Sequence, residues 1–224
     1  MNSRAFKDHL YAEFAAMAGA LANPHRLELL DLLAQGERSV DDLAREANLS
    51  VTNTSAHLQV LRRARLVAAD KRGLYVIYRL ADAQVFALWK ALRDCCSTQL
   101  AEVQRLVTTY FTERDTLEAI DKQELLRRLH EESVVVLDVR PELEYRQGHI
   151  PTALSMPLSA LEQRLHELPR DREVVAYCRG PYCVFADEAA QLLRHHGFQV
   201  RRLSDGFPEW RAAGYPSTID QPQT

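Results

Sequence analysis

Tyr177–Val184 reads YCRGPYCV, and few folds accommodate that octapeptide in its setting. A β-branched run, Glu173-Val174-Val175-Ala176, leads into it, and a helical pattern from about Tyr182 to His196 leads out. Cys178 therefore falls where a strand ends and a helix begins. Backbone N–H groups point inward at such a junction, and the helix dipole favours negative charge. Both effects lower a thiol pKa, and the thiolate is the nucleophile. The expectation is a reactive Cys178, with Arg179 adding positive charge beside it. Gly180 and Pro181 allow and fix the tight curve.

The surrounding residues alternate strand and helix patterns. Ser133–Arg140 is an apolar strand ending in charge, Pro141–Gln147 a short helix, and Gly148–Pro151 a turn. Ala153–Met156, Glu173–Tyr177 and Gln199–Leu203 read as further strands, with helices between them. That alternation predicts a compact α/β domain built on a parallel sheet. Ligands in such sheets bind beyond the carboxyl ends of the strands, which is where the Cys178 loop falls.

Four separated motifs occur in order here: LDVR, EYRQGHIP, the strand–cysteine loop–helix, and DGFPEW. Together they resemble the rhodanese family over about residues 118–216. The resemblance implies a sulfurtransferase in which Cys178 attacks a sulfane-sulfur donor, such as thiosulfate or a persulfide, and becomes a persulfide. The loop of Arg179, Gly180, Pro181, Tyr182 and Cys183 would cradle the bound anion through its backbone amides, with Pro181 shaping the curve since it has no N–H. The six-residue loop, Cys178 to Cys183, has the length that the sulfurtransferases use. Related phosphatases have one residue more, and phosphatase or arsenate-linked chemistry stays as an alternative. Asp138 and Arg140 read as structural, Glu144 and His149 as turn-stabilising, and Trp210 as core. Cys183 either attacks the Cys178 persulfide as a resolving thiol or merely lines the loop.

The N-terminal half has a different rhythm. A helical pattern covers about Lys7 to Ala22, and Asn23-Pro24 stops it and restarts a helix to about Ala34. Ser39 caps a short helix, Asn48-Leu49-Ser50 is a turn, and another helix runs from Val51 to about Arg63. The period then becomes alternating: Leu66–Ala69, a turn at Asp70–Gly73, and Leu74–Leu80 form a hairpin. Three short helices and a basic hairpin make a winged helix-turn-helix. The net charge of −3 does not announce nucleic-acid binding, but Arg62, Arg63, Arg65, Lys71, Arg72 and Arg79 cluster against Asp70 alone. Thr52, Asn53, Ser55 and Gln59 lie on the outward face of the reading helix and suit base edges and phosphates. Arg62, Lys71 and Arg72 suit phosphates. His57 suits a phosphate or a structural role.

SVTNTSAHLQVLRRARLVAADKRGLYVIYRL, with the earlier ALANPHRLELLDLLAQGERSVDDLA, resembles the ArsR/SmtB group of small bacterial repressors. The resemblance covers about residues 10–105. It implies a homodimer that represses by binding a palindromic double-stranded DNA operator. Two departures stand out. Ala64-Arg65 occupies the place where the family often has Ala-Gly. The metal-sensing members carry a cysteine pair on the first helix of the reading unit, whereas Asp42–Glu46 has no cysteine, so that metal site does not carry over.

A long helical pattern from about Ala83 to Arg114 carries an apolar stripe, which the resemblance assigns, with the first helix, to the dimer interface. Cys95 and Cys96 lie on it as possible sensing thiols. Neighbouring helical residues point about 100° apart, so the two cannot face one partner together. No apolar run approaches the ~18 residues of a membrane span, and the N-terminus lacks the apolar core of a secretory signal. The reading is a cytoplasmic protein of two domains: a mainly α winged helix-turn-helix over 1–110 and an α/β rhodanese domain over 120–219, joined by a linker at 111–119. The expected function is a sulfur- or redox-responsive repressor without metal or cofactor. The alternatives are a sulfurtransferase with an autoregulatory DNA-binding half and a metalloid-linked regulator.

Overall fold

The structure is a computed structural model and describes residues 2–111 and 118–220. The chain divides into two compact units, residues 1–95 and 96–224.

In the first unit, α1 (Ser3–Leu21) is capped by Asn2, and α2 (Pro24–Gln35) by Asn23, whose side chain accepts from the Arg26 amide at 3.2 Å. Pro24 sits where a missing N–H costs nothing. Buried Leu29, Leu30, Leu32 and Leu33 form one face of the core. Ser39 and Ser50 cap α3 (Val40–Glu46) and α4 (Val51–Arg63), accepting from the amides of Asp42 and Asn53. Leu43, Leu58 and Leu61 lock α3 and α4 against α2. A three-stranded antiparallel sheet closes the unit in the order β1 (Arg38–Ser39), β3 (Tyr75–Leu80), β2 (Val67–Arg72). Gly73-Leu74 makes the hairpin turn, with Gly73 at φ +62°, the left-handed conformation that a two-residue turn needs. Asp70, Lys71 and Arg72 are therefore strand residues, and the turn falls at Gly73-Leu74, later than the Asp70–Gly73 turn the sequence suggested. Two-residue β1 was missed, because it is too short for an alternating pattern.

Arg65 has φ +59°. Its place is the one where the resembled family often has glycine, and the left-handed backbone is the reason. A non-glycine residue there costs on the order of 1 kcal/mol.

The expected continuous helix from Ala83 is broken. α5 (Ala83–Gln99) ends and α6 (Ala101–Tyr110) begins across Leu100, which is extended at φ −105°, ψ 102°. Apolar periodicity continues through the break, so the pattern could not reveal it. Trp89 Nε1 on α5 donates to Asp31 on α2 at 2.9 Å. Residues 112–117 of the expected linker lie outside the described residues, and Ala119 belongs to β4.

In the second unit a five-stranded parallel sheet has the order β4 (Ala119–Ile120), β8 (Val200–Leu203), β7 (Glu173–Tyr177), β5 (Val134–Asp138), β6 (Leu154–Ser155). β7 is the middle strand, in register with β5 from Val134↔Glu173 to Asp138↔Tyr177. Every residue of β5 is buried, as expected for a strand covered on both faces. One layer, with α9 (Leu158–Arg164) and α10 (Phe185–His195), packs Leu161, Ala186, Ala189, Ala190 and Leu193 on the sheet. The other, with α7 (Lys122–His130) and α11 (Phe207–Ala212), packs Leu125, Phe207 and Trp210. α8 (Glu142–Gln147) follows β5. Among the described residues no helix is long and apolar enough to cross a membrane.

Candidate functional site

Cys178 follows β7 directly and is 2% exposed. The residue before it anchors the strand end. Tyr177 Oη donates to Asp138 Oδ2 at 2.5 Å and accepts from the Ile150 amide at 3.1 Å. Asp138 also holds Arg140, at 2.5 Å between Nη2 and Oδ2, with both side chains fully buried. Burial opposes the Arg140 charge, but Asp138 more than offsets it, and the guanidinium stays cationic. Arg140 Nη2 donates as well to the Gly148 carbonyl at 2.7 Å, and its guanidinium lies 4.5 Å from the Phe207 ring centroid. The LDVR motif thus braces the strand end beneath the loop, in the structural role expected of Asp138 and Arg140.

The loop turns at once. The Cys183 amide donates to the Gly180 carbonyl at 3.1 Å, and the Phe207 amide donates to the Cys178 carbonyl at 3.1 Å. Gly206 backs the curve from outside. A Cβ there would lie 2.3 Å from the Gly180 nitrogen and 2.4 Å from the Arg179 carbonyl carbon. The DGFP motif is therefore part of the site's wall, a role that sequence order alone did not reveal.

Arg179 does not act as an open cation beside the sulfur. Its Nε and Nη2 contact Glu144 Oε1 at 2.9 and 2.6 Å, and its guanidinium lies 5.4 Å from the Phe185 ring centroid. Glu144 is 1% exposed. A buried carboxylate in reach takes the guanidinium first, since an unpaired charge there would cost several kcal/mol. Glu144, expected only to stabilise a turn, instead fixes the first loop side chain. His149 does hold the turn: its Nδ1 lies 2.9 Å from the Tyr145 carbonyl oxygen, and the two rings stack at 3.8 Å. Tyr182 is exposed, and Pro181 is half-buried.

The expected depression of the Cys178 thiol is also reversed. Burial pushes it up, and its hydrogen bond with the Cys183 side chain adds to the effect, while the amides of Gly180 and Ala186 oppose it. The same hydrogen bond pulls the Cys183 thiol down, helped by the amides of Arg179 and Phe185. Desolvation outweighs the helix end because the sulfur has almost no water around it.

In the winged unit, Thr52 and Asn53 are exposed at the start of α4, and Ser55 is half-buried. Gln59 is tied down, with Nε2 donating to Tyr78 Oη at 3.0 Å, so it links α4 to the sheet instead of facing outward. His57 sits beside His25, ring centroids 5.5 Å apart. Burial, with His25 and Arg26 nearby, pushes its pKa down and favours the neutral ring. Arg62, Arg63 and Lys71 are exposed. Arg72 forks onto Glu37, Nη2 to Oε2 at 2.8 Å, so its exposed charge already has a partner on the protein. Leu74, 96% exposed at the wing tip, escaped the sequence reading, which looked there only for charge. Cys95 is exposed and Cys96 half-buried on α5. Among the described residues no cluster of His, Cys, Asp and Glu could hold a metal ion.

Comparison with known proteins agrees with both halves. The family model for bacterial regulatory proteins of the arsR family matches residues 23–69, and that for the rhodanese-like domain matches residues 121–213. An HTH-type transcriptional regulator of Mycobacterium tuberculosis is 42% identical over 210 residues, 94% of this chain and 92% of the relative. A sulfurtransferase of Allochromatium vinosum is 36% identical over 99 residues, 43% of this chain and 91% of that protein. The solution structure of a homodimeric winged helix-turn-helix DNA-binding domain from Mycobacterium bovis is 37% identical, spans 45% of this chain and 91% of its own, and has a TM-score of 0.42. The chain is a DNA-binding transcriptional regulator of the arsR family that carries a rhodanese-like domain in its C-terminal half.

Proposed function

We propose that this regulator is a repressor whose DNA affinity answers to sulfur. A dimer holds a palindromic operator, and Cys178 in each subunit takes a sulfane sulfur from a donor such as thiosulfate. The Cys178 thiolate attacks the outer sulfur, the donor's S–S bond breaks, and sulfite leaves with its electron pair. Sulfur taken up at the loop changes the affinity for DNA. The observation that carries this reading is the buried Cys178 sulfur at the carboxyl end of the middle strand, at the start of a tight loop that the Cys183 amide closes on the Gly180 carbonyl. Amides there suit a negatively charged outer sulfur.

On the DNA side, Thr52, Asn53 and Ser55 read base edges and Arg62 and Lys71 hold phosphates. The face of α1 bearing Phe6, Leu10, Tyr11, Phe14 and Met17 is exposed and apolar, which supports a second copy as its cover. Operator affinity across a salt series tests the DNA half, using an operator selected from random duplex DNA. Lys71→Ala lowers the magnitude of the slope of log K against log salt by about 0.9 for each phosphate that a subunit no longer neutralises. An unchanged slope removes Lys71 from the interface.

Gly206→Ala tests the loop. Its methyl group would meet the Arg179–Gly180 peptide, so the cradle must shift. A displacement near 1 Å costs roughly 10²-fold. The rate of persulfide formation from thiosulfate, followed by mass spectrometry, falls by that order, and an unchanged rate means that the cradle does not depend on this wall.

A further inference from the structure

We infer that Cys183 is a resolving thiol: it attacks the Cys178 persulfide, closes a Cys178–Cys183 disulfide within the loop and releases hydrosulfide. This deepens the proposed function, because it rests on Cys178 forming a persulfide.

The loop folds its two ends together. Cys183 lies five positions after Cys178, and the turn closed by the Cys183 amide on the Gly180 carbonyl carries it back. The Cys178 sulfur is 3.6 Å from the Cys183 carbonyl oxygen and 3.9 Å from that of Gly180. The contact of the Cys178 sulfur with the Cys183 backbone sets the two residues side by side in the folded loop. Both sulfurs pack on the same core cluster, Cys178 inside it and Cys183 at its border.

The chemistry favours the same direction. Thiolate, not thiol, attacks a sulfur–sulfur bond. Cys183 is the member of the pair whose ionised form is favoured, by the Cys178 hydrogen bond and by the amides of Arg179 and Phe185. The step balances without an external oxidant. The Cys183 thiolate forms a bond to Cys178 Sγ, the bond from that sulfur to the outer sulfur breaks, and the outer sulfur leaves as HS⁻ with the electron pair. The sulfane sulfur is reduced by two electrons and the two cysteines are oxidised by two. An external dithiol, itself oxidised to a disulfide, returns the loop to its reduced state.

The consequence is a site with a sulfide output and a self-terminating cycle. One sulfur enters, one sulfide leaves, and the loop stops as a disulfide until a dithiol reduces it. The signal that the regulator holds is then a loop disulfide and not a lasting persulfide.

The test uses the reduced full-length chain under anaerobic conditions with thiosulfate alone. The wild-type chain releases about one sulfide per subunit, and its Cys178–Cys183 peptide becomes lighter by two hydrogens. Added dithiothreitol makes release continue over many turnovers. Cys183→Ser and Cys183→Ala instead keep a loop peptide heavier by one sulfur and release no sulfide before reductant is added. A wild-type chain that keeps a stable persulfide and releases no sulfide overturns the inference and leaves the Cys178 reading standing. A wild-type chain that takes up no sulfur overturns both. Because the wild-type arm decides alone, a variant that fails to fold leaves the result intact.

Discussion

Cys178→Ser lowers the rate of sulfur uptake from thiosulfate by on the order of 10³-fold or more, as expected when a site loses its nucleophile. The two side chains are nearly the same size, and the position is buried at the end of a strand braced by the Tyr177–Asp138 hydrogen bond. The fold should therefore survive. A serine hydroxyl does not ionise near neutral pH, and it cannot form a persulfide at all. The pH dependence carries a second expectation. Burial and the Cys183 hydrogen bond raise the Cys178 thiol, so at neutral pH less of it is ionised than in an exposed thiol. The reactive form is the thiolate, so the rate of sulfur uptake rises with pH through and beyond the ordinary thiol range. A rate already at its plateau at pH 7 contradicts the pKa direction. Sulfur uptake that persists in Cys178→Ser contradicts the assignment of the nucleophile.

Arg140→Met destabilises the rhodanese-like unit by about 3–5 kcal/mol, the usual cost of removing one partner of a buried ion pair. The substitution keeps apolar bulk against Phe207 and Tyr177, so packing loss is small. What remains is Asp138, fully buried, still accepting from Tyr177 but stripped of its countercharge, and a Gly148 carbonyl without its donor. Amide hydrogen exchange in β7 reads this cost in the affected unit alone, where global unfolding of a two-unit chain would not follow a single transition. Protection at Val174–Tyr177 falls by roughly 10²–10³-fold or more for that cost. A change of less than about tenfold means that Asp138 protonates or rehydrates cheaply, and that the pair contributes little.

The parts of the fold that rest on local pattern were legible in the sequence. Asn23-Pro24 and Ser39 announce helix starts because the capping side chains reach only the next turn's amides. The apolar run Val134–Leu137 announces a doubly covered strand, and the alternation of Leu74–Leu80 announces a wing. Long-range pairings were not legible. Nothing near Arg179 in the sequence says that Glu144, 35 residues away, takes its charge, and nothing near Arg72 points to Glu37, also 35 residues away. The direction of the Cys178 shift failed for the same reason: a helix end is a local signal, whereas desolvation depends on everything packed around the sulfur. Gln59 looked outward on a helical wheel, but β3 curls over that face and brings the Tyr78 hydroxyl to it. The break at Leu100 left no mark, since leucine suits both a helix interior and its end.

The central claim is that sulfur at the Cys178 loop changes DNA binding, and titration of operator DNA tests it most directly. The measurement compares the affinity of the reduced chain with that of the same chain after thiosulfate treatment and removal of excess donor, at fixed salt. A coupling free energy of the usual 1–3 kcal/mol gives a change in affinity of roughly 5- to 150-fold, and Cys178→Ser gives none. Equal affinity before and after loading, with mass spectrometry finding the Cys178 loop modified, contradicts the claim and leaves a DNA-binding domain and a sulfur site that act independently.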